Sequence, residues 1–118
     1  MMRLSPDTRG WFERAMFDLG IAKAHLQSRL WGETGQYARQ AALKFLQSLL
    51  VQAGHMEPAP RIDDLLAAVR QHYPAVQAGD DWSMLDGFAG PRETTQEDAL
   101  RAYTIAEAVR DEVARLLG

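Results

Sequence analysis

Residues 37–50 are the segment that most constrains the fold of this 118-residue chain. Its apolar residues recur every three or four positions, a spacing that places them on one face of an α-helix. They are Ala38, Ala41, Ala42, Phe45, Leu46, Leu49 and Leu50, and Ala53 continues the face. Leu43 and Val51 lie off this face, and Arg39 and Lys44 are the only charged residues. A helix with so few charges is normally surrounded by other elements, so this segment is predicted to be the central helix of an all-α domain.

One narrow polar strip interrupts the apolar surface of this helix. It consists of Gln36, Gln40, Lys44 and Gln47. Gln40 and Lys44 are one helical turn apart, so their side chains can face the same volume. The lysine ammonium donates hydrogen bonds, and the glutamine amide both donates and accepts them. We therefore expect a ligand cleft to open along this strip; the alternative for Lys44 is an ordinary solvated surface lysine.

The composition indicates a single domain over residues 1–118. Hydrophobic residues make up 47% and charged residues 25% of the chain, which is typical of a soluble globular protein. A net charge of −3 argues against strong, sequence-independent nucleic-acid binding. The absence of cysteine excludes disulfides and thiolate sites. No apolar run reaches the roughly 20 residues that span a bilayer, and residues 1–10 lack a secretory signal. We therefore expect no membrane association and a cytoplasmic location.

Capping residues, prolines and glycines divide the rest of the chain. Ser5 and Pro6 suit the start of a first helix. Its apolar stripe is predicted at Trp11, Ala15, Leu19, Ala22, Leu26 and Leu30. Residues 31–35 are predicted to interrupt the helical pattern before the central helix. That helix is expected to end near Ala53, with Gly54 just beyond its C-terminus.

Three further segments complete the predicted order. Residues 61–73 are predicted to form a third helix that Pro74 ends, and residues 80–86 a short helix. Thr94 and Glu97 have the spacing of a capping box, and the last helix is predicted to run to Leu117. Short connections between long helices favour antiparallel neighbours. The predicted fold is therefore an all-α, up-down antiparallel helical bundle of four long or medium helices plus one short helix.

The order of these segments resembles the HEPN domain (higher eukaryotes and prokaryotes nucleotide-binding). The resemblance rests on residues 11–15 with Asp18, Leu19 and Ala22; on Tyr37 with residues 40–46; and on residues 85–92 with the alanine-rich helix from Glu97. It covers nearly the whole chain. It implies a bundle of about five helices, usually a homodimer, and in many members a gene beside a minimal nucleotidyltransferase in a toxin–antitoxin-like pair.

The resemblance also raises RNase activity as an expectation, since some members of the family are RNases. These members use an arginine followed four to six residues later by a histidine. The histidines of this chain are His25, His55 and His72, and none has an arginine at that spacing. The chain also has Pro60 where related members often have a histidine, Leu43 where a glutamate commonly precedes the lysine, and only Arg92 of an arginine–tyrosine–proline sequence. These departures weaken the prediction of catalysis and leave the predicted fold intact.

Three other residues complete the candidate ligand-binding set of Gln40, Lys44, Arg92, Asp18 and Tyr37. Arg92 precedes a helix N-terminus, where a guanidinium and free amides can meet a phosphate; its alternative is a salt bridge to Asp86 or Asp18. Asp18 borders the buried stripe and needs a partner, for which Lys44 and Arg92 are the best candidates. Tyr37 either stacks on a base or covers the core. We predict no catalytic residue, no metal site and no cofactor.

The prediction of partners rests on large apolar residues that the sequence pattern does not assign to one core. These are Trp31, Leu43, Val51 and Trp82, and such residues often mark interfaces. A symmetric homodimer is therefore expected. The function predicted from the sequence is a non-catalytic HEPN-like module that binds a partner protein, such as a minimal nucleotidyltransferase, and as a second role a nucleotide. An RNase toxin of a toxin–antitoxin pair and a purely structural interaction domain are the alternatives.

Overall fold

Four α-helices and one 3₁₀ helix make up the protein in the computed structural model, which describes residues 3–56, 58 and 60–118. The α-helices are α1 (Pro6–Gln27), α2 (Trp31–Gln52), α3 (Ile62–His72) and α4 (Gln96–Leu117), and the 3₁₀ helix spans Trp82–Phe88. No strand occurs among the described residues. The prediction of an all-α helical bundle with one short helix is confirmed.

Helix α2 is the centre of the bundle, as its low charge predicts. It packs against α1, α3, α4 and the 3₁₀ helix. Its buried residues include every predicted apolar position from Ala38 to Leu50, whereas Ala53 is exposed. Gln47 differs from the prediction, because it is buried and its amide contacts the sulfur of Met56. The polar strip is therefore covered at Gln47 and stays accessible at Gln40 and Lys44.

The start of α1 agrees with the prediction. The Ser5 hydroxyl accepts the Thr8 amide at 3.1 Å and Pro6 occupies the first turn. Gln52 of α2 accepts from the Ser5 amide and the Thr8 hydroxyl, which ties this end of α1 to the end of α2. The prediction for Leu30 was wrong: α1 ends at Gln27, and Leu30 lies exposed in the link to α2.

The predicted interruption at residues 31–35 was also wrong, because these residues form the first turn of α2. Thr34 supports the turn by donating its hydroxyl to the Leu30 carbonyl at 2.8 Å. This helical position is occupied by glycine, because the Phe88 ring lies where a side chain on Gly35 would be. A helical glycine costs up to about 1 kcal/mol relative to alanine, and the close packing of Phe88 offsets that cost.

The helices alternate in direction only at the first connection. The three-residue link 28–30 makes α1 antiparallel to α2. By contrast, α3 runs in the direction of α2: the Pro60 carbonyl just before it accepts from Arg39, while His72 at its end lies beside His55. After α3, Gln77 contacts Glu112 near the end of α4, whereas Phe88 packs against Gly35 near the start of α2, so the segment that contains the 3₁₀ helix returns the chain along the bundle.

Helix α4 also runs parallel to α2, and its start differs by one residue from the prediction. The Thr94 hydroxyl lies 4.0 Å from where a side chain on Gly32 would begin, so the first turns of both helices are adjacent. The capping box is formed by Thr95 and Asp98 rather than by Thr94 and Glu97. The Thr95 hydroxyl accepts the Asp98 amide at 3.1 Å.

The core is one hydrophobic cluster that draws residues from all five helices. Trp82, predicted to be free for an interface, belongs to this cluster and is buried, whereas Trp31, Leu43 and Val51 are half-buried. In the described part of the chain, no helix is long and apolar enough to cross a membrane.

Candidate functional site

An ion pair between Asp18 of α1 and Lys44 of α2 marks the accessible part of the polar strip. Asp18 is only 6% exposed, because it lies on the side of α1 that also buries Ala15 and Leu19. Its carboxylate accepts from the Lys44 ammonium, whose side chain keeps 30% of its surface exposed. This is one of the two pairings that the sequence favours for Asp18. A carboxylate in such a setting requires a charged partner, which explains why lysine occupies this position.

Two hollows meet at Lys44, and together we call them the Lys44 cleft. The first has a volume of about 440 Å³ and is lined about equally by polar and apolar surface; its lining residues are Gly10, Glu13, Arg14, Phe17, Asp18 and Lys44. The second has a volume of about 490 Å³ and is mostly apolar; its lining residues include Trp11, Leu43, Lys44, Met56, Pro60 and Leu65. Volumes of this size suit a small ligand or the side chains of a partner protein.

Large apolar side chains stand exposed around the Lys44 cleft. Phe17 is 70% exposed and Met56 is 56% exposed. Between them, the Arg14 guanidinium lies 5.4 Å from the centre of the Trp11 ring. Gly10 contributes to access, since a Cβ there would have no neighbour within 4 Å. The cleft therefore combines an accessible aromatic ring, a cation held over a second ring, and an ion pair.

Arg92 does not lie in this cleft, although the sequence placed it beside Lys44. Its guanidinium is 4.6 Å from the centre of the Phe88 ring, and Phe88 fills the position left open by Gly35. Gly35 and Lys44 are nine residues apart on α2, which corresponds to about 13 Å along the axis and half a turn around it. Arg92 and Lys44 are therefore on opposite sides of the central helix.

The ion pair of Arg92 also differs from the expected ones. Arg92 pairs with Asp98 at 3.4 Å rather than with Asp86 or Asp18. Asp86 instead accepts the Ile62 amide at 2.8 Å, where it caps α3, and lies 4.0 Å from Arg61. The guanidinium of Arg92 thus contributes to the start of α4.

Gln40 and Tyr37 lie farther along α2 from the cleft. Gln40 is exposed one turn before Lys44, outside the two hollows that form the cleft. Tyr37 stacks on His25, with ring centres 5.4 Å apart and planes inclined by 28°. Of the five residues predicted from the sequence, the structure brings together Asp18 and Lys44, places Gln40 beside them, and separates Tyr37 and Arg92.

Sequence reasoning missed Phe17, Arg14 and Met56 as parts of the site. Phe17 carried a usable signal, because it is a large apolar residue off the predicted stripe of α1, as Leu43 is on α2. Met56 carried none, since its position depends on how the proline-rich connection packs against α2. Among the described residues, no three acidic, histidine or cysteine side chains are grouped as metal ligands.

Comparisons with known proteins support the fold alone. No protein-family model and no curated protein matches the chain. The structure is similar to the crystal structure of TT1696 from Thermus thermophilus, with a TM-score of 0.80 and 23% sequence identity. The alignment covers 94% of this chain and 98% of that protein. The shared architecture therefore extends over nearly the whole length of both chains.

Proposed function

We propose that this chain is a non-catalytic HEPN-like module, acting in the cytoplasm, that binds a partner protein through the Lys44 cleft. The observation that carries the proposal is the 70% exposure of Phe17 at the edge of a hollow that also holds the Asp18–Lys44 ion pair. An exposed aromatic ring beside a hollow gains free energy when a partner covers it.

The composition of the cleft supports a protein partner over a reaction centre. Tryptophan and arginine are enriched among residues that dominate binding energies at interfaces, and here Arg14 lies over Trp11. The carboxylate of Asp18 is already occupied by Lys44, which makes it a poor general base. None of the three histidines follows an arginine by four to six residues, the spacing that the RNases of the HEPN family use.

Two partners follow from this proposal. The first is a minimal nucleotidyltransferase encoded beside this chain, with which it would form a complex as an adaptor rather than as an RNase toxin. The second is another copy of the chain, in a homodimer. Both would cover Phe17 and Met56, so the same substitution tests both.

Substitution of Phe17 by alanine is expected to weaken partner binding at least about fivefold, because truncation of a central aromatic anchor costs more than about 1 kcal/mol. Calorimetry with the nucleotidyltransferase and sedimentation velocity of the isolated chain would measure the two associations. Leu100→Ala is the matched control, since Leu100 of α4 is 53% exposed and lies outside the cleft. Equal binding by the Phe17→Ala variant and the wild type would rule out this surface.

A nucleotide is the second candidate ligand, supported by the ammonium of Lys44 at the border of the apolar hollow that contains Trp11. The hollow can take a base, and Lys44 can donate to a phosphate if it turns from Asp18. Calorimetry with ATP and AMP at millimolar concentration should give heat that Lys44→Met abolishes. Arg92→Ala should leave it unchanged, because Arg92 lies across α2. No heat with either nucleotide would contradict this second role.

A further inference from the structure

His55 and His72 lie side by side although 17 positions separate them in the sequence. Their ring centres are 5.3 Å apart and their planes are inclined by 33°. Both residues are exposed, so the pair is accessible to small solutes. The pair lies where the end of α3 meets the residues just after α2. His55 also lines a hollow with Trp11 and Met56, so the pair borders the Lys44 cleft, although the proposed function does not depend on it.

The backbone at both histidines is held in place. After α2, Gly54 adopts a left-handed conformation with φ of 76°, and its amide donates to Val51 at 3.0 Å. The His55 amide then donates to the Leu50 carbonyl at 2.8 Å, which completes a helix-terminating motif. His72 is the last residue of α3, one turn beyond the buried Val69. The two imidazoles therefore extend from fixed points on packed elements.

We propose that His55 and His72 form a two-imidazole site for a late first-row divalent ion of the class Cu²⁺, Ni²⁺ and Zn²⁺. Imidazole nitrogens bind such ions at about 2.0–2.1 Å. The centre of an imidazole ring lies about 1.2 Å beyond its nitrogen, so the centre of each ligating ring is about 3.2 Å from the ion. If the two nitrogens form a tetrahedral angle at the ion, the two ring centres are about 5.2 Å apart. The observed separation of 5.3 Å matches this spacing.

An ion held by two protein ligands keeps coordination positions that water can fill. Among the described residues, the pair does not belong to any group of three side chains that could ligate a metal. Such a site binds an exchangeable ion rather than a permanently enclosed one, because closed structural sites use four protein ligands. When occupied, it links the end of α2 to the end of α3, so binding stabilises the folded chain.

Titration of tag-free protein with Cu²⁺ tests this site, since Cu²⁺ binds nitrogen ligands most tightly of the series. We expect one ion per chain and an electron paramagnetic resonance spectrum that shows coupling to two imidazole nitrogens. At ten times the dissociation constant, the melting temperature should rise by about 5 °C for a chain of this length.

Single variants separate the pair from other sources of binding. His72→Ala and His55→Ala should each weaken binding at least tenfold and leave coupling to one imidazole nitrogen. His25→Ala is the matched control, because His25 stacks on Tyr37 rather than on either histidine of the pair, and it should bind as the wild type does. Unchanged affinity in His72→Ala, or no stoichiometric binding by the wild type, would overturn the proposal.

Discussion

Replacing Gly35 by alanine should lower the free energy of unfolding by about 2 kcal/mol, although alanine is the better helix former. A Cβ at Gly35 would lie 2.8 Å from Cγ of Phe88 and closer still to two other atoms of the ring. Phe88 is itself buried, so the ring can move only by displacing its neighbours. The cost of this overpacking exceeds the gain in helix propensity. Urea unfolding of the two proteins would measure the difference.

Gly20→Ala provides a control of opposite sign. Gly20 also lies within a helix, but a Cβ there would meet nothing within 4 Å, so this substitution should raise stability by about 0.5–1 kcal/mol. In a Phe88→Ala background, Gly35→Ala should no longer destabilise the protein. A Gly35→Ala variant as stable as the wild type would show that Phe88 does not occupy this space.

Glu112→Gln is expected to lower the free energy of unfolding by about 2 kcal/mol, the scale of hydrogen bonds to charged groups. The Glu112 carboxylate is nearly buried and accepts two hydrogen bonds from Arg115, both at 2.7 Å. It also accepts the Gln77 amide at 2.6 Å, and Arg115 donates to the Ala75 carbonyl. These contacts hold the connection after α3 against α4. An amide in place of the carboxylate turns one acceptor into a donor that faces other donors.

The effect of Glu112→Gln should depend on pH. The hydrogen bonds from Arg115 hold the pKa of Glu112 below its ordinary value; burial opposes this shift and the Gln77 amide adds to it. The folded state therefore binds this proton less readily than the unfolded state. The ionised carboxylate contributes fully above the ordinary glutamate pKa of about 4.3, and this contribution is lost as the pH falls through the folded value.

Thermal unfolding between pH 7 and pH 2 would show this dependence, with the gap between wild type and Glu112→Gln narrowing in acid. Glu107→Gln is the control on the same helix. Glu107 lies 4.0 Å from Arg110 in a more exposed pair, and such pairs contribute less than about 1 kcal/mol. A constant gap at all pH values would contradict the assigned role of the Glu112 carboxylate.

The sequence predicts most of the helices because their signals are local. The cap at Ser5, the apolar period of α2 and the left-handed Gly54 each depend on a few neighbouring residues. The prediction failed at Gly35, because a glycine in the first turn of a helix resembles a break until the Phe88 ring is seen against it. It also failed for the direction of α3 and α4, which depends on how the long connections fold back.

The candidate site was predictable only where one contact decides it. Asp18 on a buried stripe requires a cation, and Lys44 is within reach once α1 and α2 pair. Arg92 was misplaced because its position depends on the 3₁₀ helix, which packs on the other side of α2. Phe17 was overlooked because its signal is its position off the apolar stripe of α1, and only residues on the stripe contribute to the helical period.

The shared direction of α2 and α4 has an electrostatic consequence. Peptide dipoles of parallel neighbours add, so the end where both helices start carries partial positive charge and the opposite end partial negative charge. Acidic residues in the first turns, Glu33 in α2 and Asp98 in α4, reduce the partial positive charge at the starting end. Arg115 in the last turn of α4 reduces the partial negative charge at the opposite end. The last turn of α2 has no basic residue of its own, whereas Arg70 and His72 supply positive charge to the last turn of α3, beside which α2 ends.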